Sequence, residues 1–364
     1  MENNSHSYLW TIIGAGPAGI AVVGKLIDAG VDPKQIAWID PDFKVGDFGS
    51  RWRSVPSNTK VKLFTKYLNA CQAFNYSHCQ EDFALNHLDP EQTCDLHYMA
   101  DPLQWVSNHL KQKVVAMTGF VRQLKRKQNV WEIDLTQSVH YSENVVLTIG
   151  SEPKTLPLPN LESIPLTTAF NVKHLATTCN ENDTIAVFGS SHSSILVIRN
   201  LIESCSVKKV INFYRAPLVY AVYYDDWILH DDTGLKGTTA DWARVNIDGK
   251  LPAKLQRVLS DKENLEKYLP ECTKAIYTIG FEKRSLNVEG FENLIHNPDN
   301  GIIAPGLFGL GIAFPQAKVD RFGTLEHKVG LWKFMEYLSN ILPIWLRTST
   351  SHAENQRSAG PTVG

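Results

Sequence analysis

Two glycine-rich turns, far apart in one chain, constrain the fold more than any other feature. The first is Thr11-Ile12-Ile13-Gly14-Ala15-Gly16-Pro17-Ala18-Gly19, and the second is Ile185-Ala186-Val187-Phe188-Gly189-Ser190-Ser191-His192-Ser193-Ser194. Each closes an apolar run of strand type and opens a segment of helix type. One such turn is a weak signal of dinucleotide binding, whereas two in register with their strands and helices are a strong one. The pair implies an α/β protein with two Rossmann-like dinucleotide-binding domains, so that electrons pass between two bound carriers.

Each position in the first turn has a mechanical task. Gly14 permits the tight turn, Gly16 lets backbone approach a pyrophosphate, and Gly19 lets helix pack closely on strand. The helix start offers free N–H groups and a partial positive charge to phosphates. Asp40 closes the next strand about twenty residues later, where a carboxylate can accept from ribose hydroxyls. In the second turn Gly189 and Ser191 hold the first two places and Ser194 the third, with packing slightly loosened by the serine. No acid closes the strand that follows. Arg215 stands there, and an arginine fork suits a 2′-phosphate, which favours NADP over NAD. His192 reads either as a contact to cofactor or as a helix-start residue with an exposed ring.

The segment after Asp40 carries Val45-Gly46-Asp47-Phe48-Gly49-Ser50-Arg51-Trp52 and then Ser57-Asn58-Thr59. With the first turn it resembles the FAD-binding half of the FAD-dependent pyridine-nucleotide oxidoreductases, in their flavin-containing monooxygenase-like branch. The resemblance implies that FAD occupies the first site, with Arg51 and Trp52 lining it and Asn58 facing the flavin. Asn58 reads equally as a turn residue bonding its own backbone. Phe308-Gly309-Leu310-Gly311-Ile312 resembles the C-terminal FAD element, with Gly311 at the cofactor. Of the branch's fingerprint before the second turn, only Phe170 and His174 remain, at shortened spacing. The implied activity is that of an NADPH oxidoreductase, monooxygenase-like, acting on a small-molecule substrate and O2. Two alternatives stay open: a dehydrogenase reducing a quinone or a protein acceptor, and a flavin-binding regulatory protein with little turnover.

The expected plan is three-layered, with parallel sheets and a small antiparallel crossover sheet. A discontinuous FAD domain spans 1–165 and 281–347, an NAD(P) domain spans 166–280, and 348–364 form a disordered tail. Strands are expected at 8–13, 36–39, 144–149, 184–188, 210–214 and 275–279, with helices at 17–29, 101–113 and 193–204. The segments 114–117, 120–127 and 130–135 read as the antiparallel sheet. A helix over 325–342 is expected to close at Pro343. Residues 42–75 read as irregular, and 218–264 as loops and helices over the active site.

Composition narrows the function. A formal charge of −2 over 364 residues gives no nucleic-acid footprint. There is no basic segment leading into an apolar one at the N-terminus, and no apolar run spans a bilayer, so a cytoplasmic protein is expected. The oligomeric state is left open, a homo-oligomer included. The six cysteines form no close-spaced pair, which points to separate thiols in a reducing compartment and to an electron acceptor other than a protein disulfide. Asp225, Asp226, His230, Asp231 and Asp232 cluster at irregular spacing and read as a solvated loop rather than a metal site.

Overall fold

The run Tyr8–Ile13 is apolar on both faces, as a strand inside a covered parallel sheet must be. In the computed structural model, which describes residues 7–158 and 161–358, it is strand β1 (Ser7–Ile13). Helix α1 (Pro17–Asp28) follows, with Pro17 at its first position, where a missing N–H is harmless. It leads to β2 (Ile36–Asp40), which is buried throughout. β1 pairs parallel with β2 on one side and with Ser138–Leu147 on the other. The sheet has nine strands, and Leu307–Gly309 joins it beside Ser138–Leu147.

Val115–Thr118 differs from expectation. It pairs parallel with β2, with Ala37 opposite Val115, and so extends the nucleotide-binding sheet. The antiparallel part is a meander of Val121–Lys127, Val130–Leu135 and the first half of Ser138–Leu147. That last strand serves both parts, which is why it exceeds the 144–149 expected.

The second unit repeats the first: β3 (Thr184–Phe188), α2 (His192–Ser204) and β4 (Lys209–Tyr214). Its five strands run Glu162–Ser163, Lys274–Tyr277, β3, β4, Leu255–Leu259, all parallel. The connections between the two sheets run side by side as the antiparallel pair Ser151–Pro153 and Phe281–Lys283.

Three stretches hold more regular structure than their sequences suggested. Residues 42–75 contain helix Gly46–Ser50, strand Pro56–Lys60 and helix Val61–Leu68. Residues 218–264 contain the hairpin Val222–Tyr223/Ile228–Leu229, helix Gly237–Asn246 and strand Leu255–Leu259. The segment expected as one helix from 325 begins as strand Leu325–Lys328, paired with Gln316–Val319. Helix α3 then runs Leu331–Ser358, with Pro343 inside it. The buried stripe of Ile341, Leu342 and Trp345 continues past the proline, so packing outweighs its cost of about 3 kcal/mol. Pro102 likewise lies within helix His97–Lys111 rather than at its start. Of the tail expected to be disordered, 359–364 lie outside the described residues.

Candidate active site

The first turn separates what the fold needs from what a ligand would need. Gly14 has φ +111°, and a Cβ there would lie 2.4 Å from the Thr148 carbonyl oxygen. A Cβ on Gly19 would lie 2.0 Å from the Gly14 carbonyl oxygen. Both glycines are fixed by internal packing. Gly16 is not, since a Cβ on it meets nothing nearer than 4.0 Å. Gly16 lines the cleft and caps α1. Bare backbone at a helix start, facing open space, is the cradle a pyrophosphate fits.

Asp40 also lies on the wall, but its carboxylate already accepts three backbone N–H groups: Ala15 at 2.6 Å, Phe43 at 2.7 Å and Asp42 at 3.0 Å. It ties the turn to the end of β2 and keeps about one lone-pair site for a ribose hydroxyl.

Arg51, Trp52, Asn58 and Gly311 all reach the same cleft. Arg51 Nη1 donates to Glu152 at 2.7 Å, and Arg284 bridges Glu152 and Asp47. Burial opposes the Glu152 charge, but Arg284 and Arg51 outweigh it and hold the carboxyl below its ordinary value. Trp52 packs edge-on against Phe170 and Phe281, so it seams the two units together. Asn58 is exposed, and its side-chain oxygen accepts from the Thr59 hydroxyl at 3.4 Å. Gly311, at φ +96°, leaves room for Ala18, whose Cβ would be 2.8 Å from a Cβ at 311.

The second turn has the same frame. Gly14 N donates to Ile39 O, and Gly189 N donates to Phe213 O. The Thr148 hydroxyl donates to the Ile13 carbonyl as Thr278 donates to that of Phe188. The Gly14 carbonyl accepts from the Trp38 indole, and the Gly189 carbonyl from the Asn212 amide. Ser194 is fully buried and donates to the Gly189 carbonyl at 2.8 Å. The serine thus adds a hydrogen bond where slight loosening was expected.

Gly189, Ser191, Ser194 and Arg215 lie beside the cleft rather than on its wall; α2 reaches the wall through His192, Ser193 and Leu196. Arg215 is exposed just beyond β4, and no ion pair holds it among the described residues. His192 departs from the exposed reading. Both ring nitrogens are buried without a protein partner. Burial, with a smaller push from Lys236, takes its pKa down to about 4.

The cleft measures about 1690 Å³. Also on its wall, charges no sequence motif announced form a network within and between the two units. Lys236 donates to Asp231 at 2.5 Å, Lys333 to Asp232 at 2.6 Å, and Lys328 to Asp232 at 2.8 Å and Glu326 at 3.2 Å. Two members of the acidic cluster, Asp231 and Asp232, are therefore partly buried and salt-bridged rather than solvated. Among the described residues no cysteine lines the cleft, and no group of His, Cys, Asp or Glu is placed to hold a metal. No helix among them is long and apolar enough to cross a membrane.

Two dinucleotide-type turns, one on the wall of the cleft and the other beside it, define an α/β frame for two nucleotides, and comparison narrows the class. No family model matches the chain. Monooxygenase AgnR1 of Paecilomyces divaricatus is 32% identical over 381 aligned residues, covering 92% of this chain and 97% of the relative. The ornithine N-hydroxylase of Kutzneria sp. 744, solved with reduced FAD, NADP+ and L-ornithine, superposes with TM-score 0.66 at 13% identity, over 94% of this chain and 99% of that one. The bacillithiol disulfide reductase of Staphylococcus aureus superposes with TM-score 0.61 at 11% identity, over 94% and 99%. The two structures share the fold. With the monooxygenase relative, they place the chain in the FAD-dependent pyridine-nucleotide oxidoreductases. It belongs to their flavin monooxygenase-like branch and is a flavin-dependent oxidoreductase.

Proposed function

We propose that this enzyme is an NADPH-consuming, FAD-dependent monooxygenase that transfers one oxygen atom of O2 to a small molecule. The observation that carries the reading is that one cleft contains the first turn and reaches the start of the second unit's helix at His192. Bound there, FAD would carry the redox chemistry between NADPH, O2 and substrate, while the protein binds and orients. Gly16 and the start of α1 would hold the pyrophosphate. Arg51 and Trp52 would flank the flavin, and Asn58 would offer an amide towards it. Arg215 would grip a 2′-phosphate.

A disulfide-reductase reading lacks its reacting group. Cys179 and Cys205 are buried in the core of the second unit, off the cleft wall. All six cysteines are free thiols, which suits a cytoplasmic enzyme.

The test begins with the absorbance spectrum of the purified protein, then follows NADPH and O2 consumption with candidate substrates. The expected result is a yellow holoprotein whose NADPH and O2 consumption match an oxygenated product. A colourless protein that cannot be loaded with FAD, or NADPH oxidation that needs a quinone and leaves O2 untouched, overturns the reading.

A further inference from the structure

The two turns can be matched place for place, because their strands and anchoring bonds are equivalent. The residue after the second glycine of the first turn is Pro17, which has no donor to satisfy. The matching residue of the second turn is His192. It is the first residue of α2, and with Ser193 and Leu196 it forms the corner by which α2 meets the cleft. An imidazole in neutral form carries one donor and one acceptor. Here neither has a partner among the described residues, although both nitrogens are out of reach of bulk solvent. The one charge acting on the ring is Lys236, which is committed to Asp231 at 2.5 Å. Buried polar atoms that a fold leaves unmatched call for a partner outside the protein, a water or a bound molecule, and on a cleft lining a ligand can supply it.

A dinucleotide seated on the Gly189 turn with its nicotinamide in the flavin cleft must cross this corner. We propose that His192, its ring turned out of the buried position towards the cleft, positions the nicotinamide half of the bound nucleotide, through a hydrogen bond from a ring nitrogen to its ribose or carboxamide. This rests on the NADPH reading above and adds a residue that the glycine motif does not specify. The adenosine half, gripped beside Arg215, is outside its reach.

The test uses full-length FAD-loaded protein and measures Kd for NADP+ by flavin difference absorbance and by calorimetry. The probe for the adenosine half is adenosine 2′,5′-bisphosphate, which lacks nicotinamide. His192→Phe fills the space without a polar atom, and His192→Asn keeps a donor and an acceptor. His192→Phe is expected to raise the Kd for NADP+ about tenfold, and His192→Asn to stay within about threefold of wild type. Both should leave the bisphosphate Kd and the melting temperature unchanged. Unchanged NADP+ affinity in His192→Phe, an equal loss in His192→Asn, or an equal loss for the bisphosphate overturns the assignment while the NADPH reading stands. A wild-type holoprotein that binds no nicotinamide nucleotide overturns both.

Discussion

Ser194 shows how one hydroxyl can stand where a dinucleotide turn ordinarily has a glycine. Its Oγ donates to the Gly189 carbonyl, which also receives the Asn212 amide. Ser194→Ala keeps the second of these bonds and should cost about 1 kcal/mol. Ser194→Val adds a branch against the turn and should cost about 1–3 kcal/mol; urea denaturation of both variants checks the order. His192 makes a pH prediction. Its imidazole, buried and facing Lys236, has a folded pKa of about 4 against an ordinary 6.5. The unfolded chain takes the proton first, so the neutral ring's contribution is full above pH 6.5 and is lost as the pH falls toward 4. Wild type should therefore lose about 3 kcal/mol across that window relative to His192→Asn, measured as the difference between their acid denaturation curves. Arg215 has no acid to release, so its loss should be felt only by the ligand. Arg215→Ala should raise KM for NADPH about tenfold and leave KM for NADH unchanged; equal effects on both remove the argument for 2′-phosphate selection.

Helix α3 closes the first unit through one ring. Trp345 is fully buried, lies 4.8 Å from Phe308 in a stack, and donates its indole N–H to Asn300 O at 2.6 Å. Phe308 in turn stacks on Trp10 of β1 at 5.7 Å. Phe308 belongs to the strand that leads to Gly311, so the helix, the C-terminal strand and β1 are held by one aromatic column. Trp345→Ala should cost about 3–5 kcal/mol and lower the flavin content of purified protein, with Trp345→Phe recovering part of both; thermal melting and the flavin-to-protein absorbance ratio read them. Elements of this kind divide sharply in how well the sequence announces them. β1, α1, β3 and α2 are legible because strand, glycines and helix follow one another within about twenty residues. Val115–Thr118 is not, because three half-buried residues and an exposed one look alike in an antiparallel edge or beside β2. The start of α3 was hidden by Leu325–Lys328, whose apolar positions also fit a helix. Its passage through Pro343 was hidden because the buried stripe that overrides the proline is a property of the packed chain.

At the scale of the molecule, the two units are joined by charges that local sequence could not pair. The partners Asp232 and Lys328 are 96 residues apart, and Asp232 and Lys333 are 101 apart; without the fold the acids read as a loop and the lysines as surface. Asp231, Asp232 and Lys236 come from the second unit, and Glu326, Lys328 and Lys333 from the first. Burial works against the Asp231 charge, but Lys333 and Lys236 prevail and hold its pKa at about 2. The stabilisation is therefore full above the ordinary carboxyl value and fades as the pH drops toward 2. The network should behave as a buried one. Glu326 is only 2% exposed, so Lys328→Met strands a buried carboxylate and should cost about 3–5 kcal/mol. Pairing that change with Glu326→Leu removes both charges and should restore most of the loss. The Arg321–Asp226 pair links the turns of the hairpins Val222–Tyr223/Ile228–Leu229 and Gln316–Val319/Leu325–Lys328 in solvent, with more than half of each side chain exposed. Arg321→Met should therefore cost less than about 1 kcal/mol. Calorimetric melting of the four proteins at neutral pH decides it: equal losses from Lys328→Met and Arg321→Met would mean that the network contributes no more than a solvent-exposed pair.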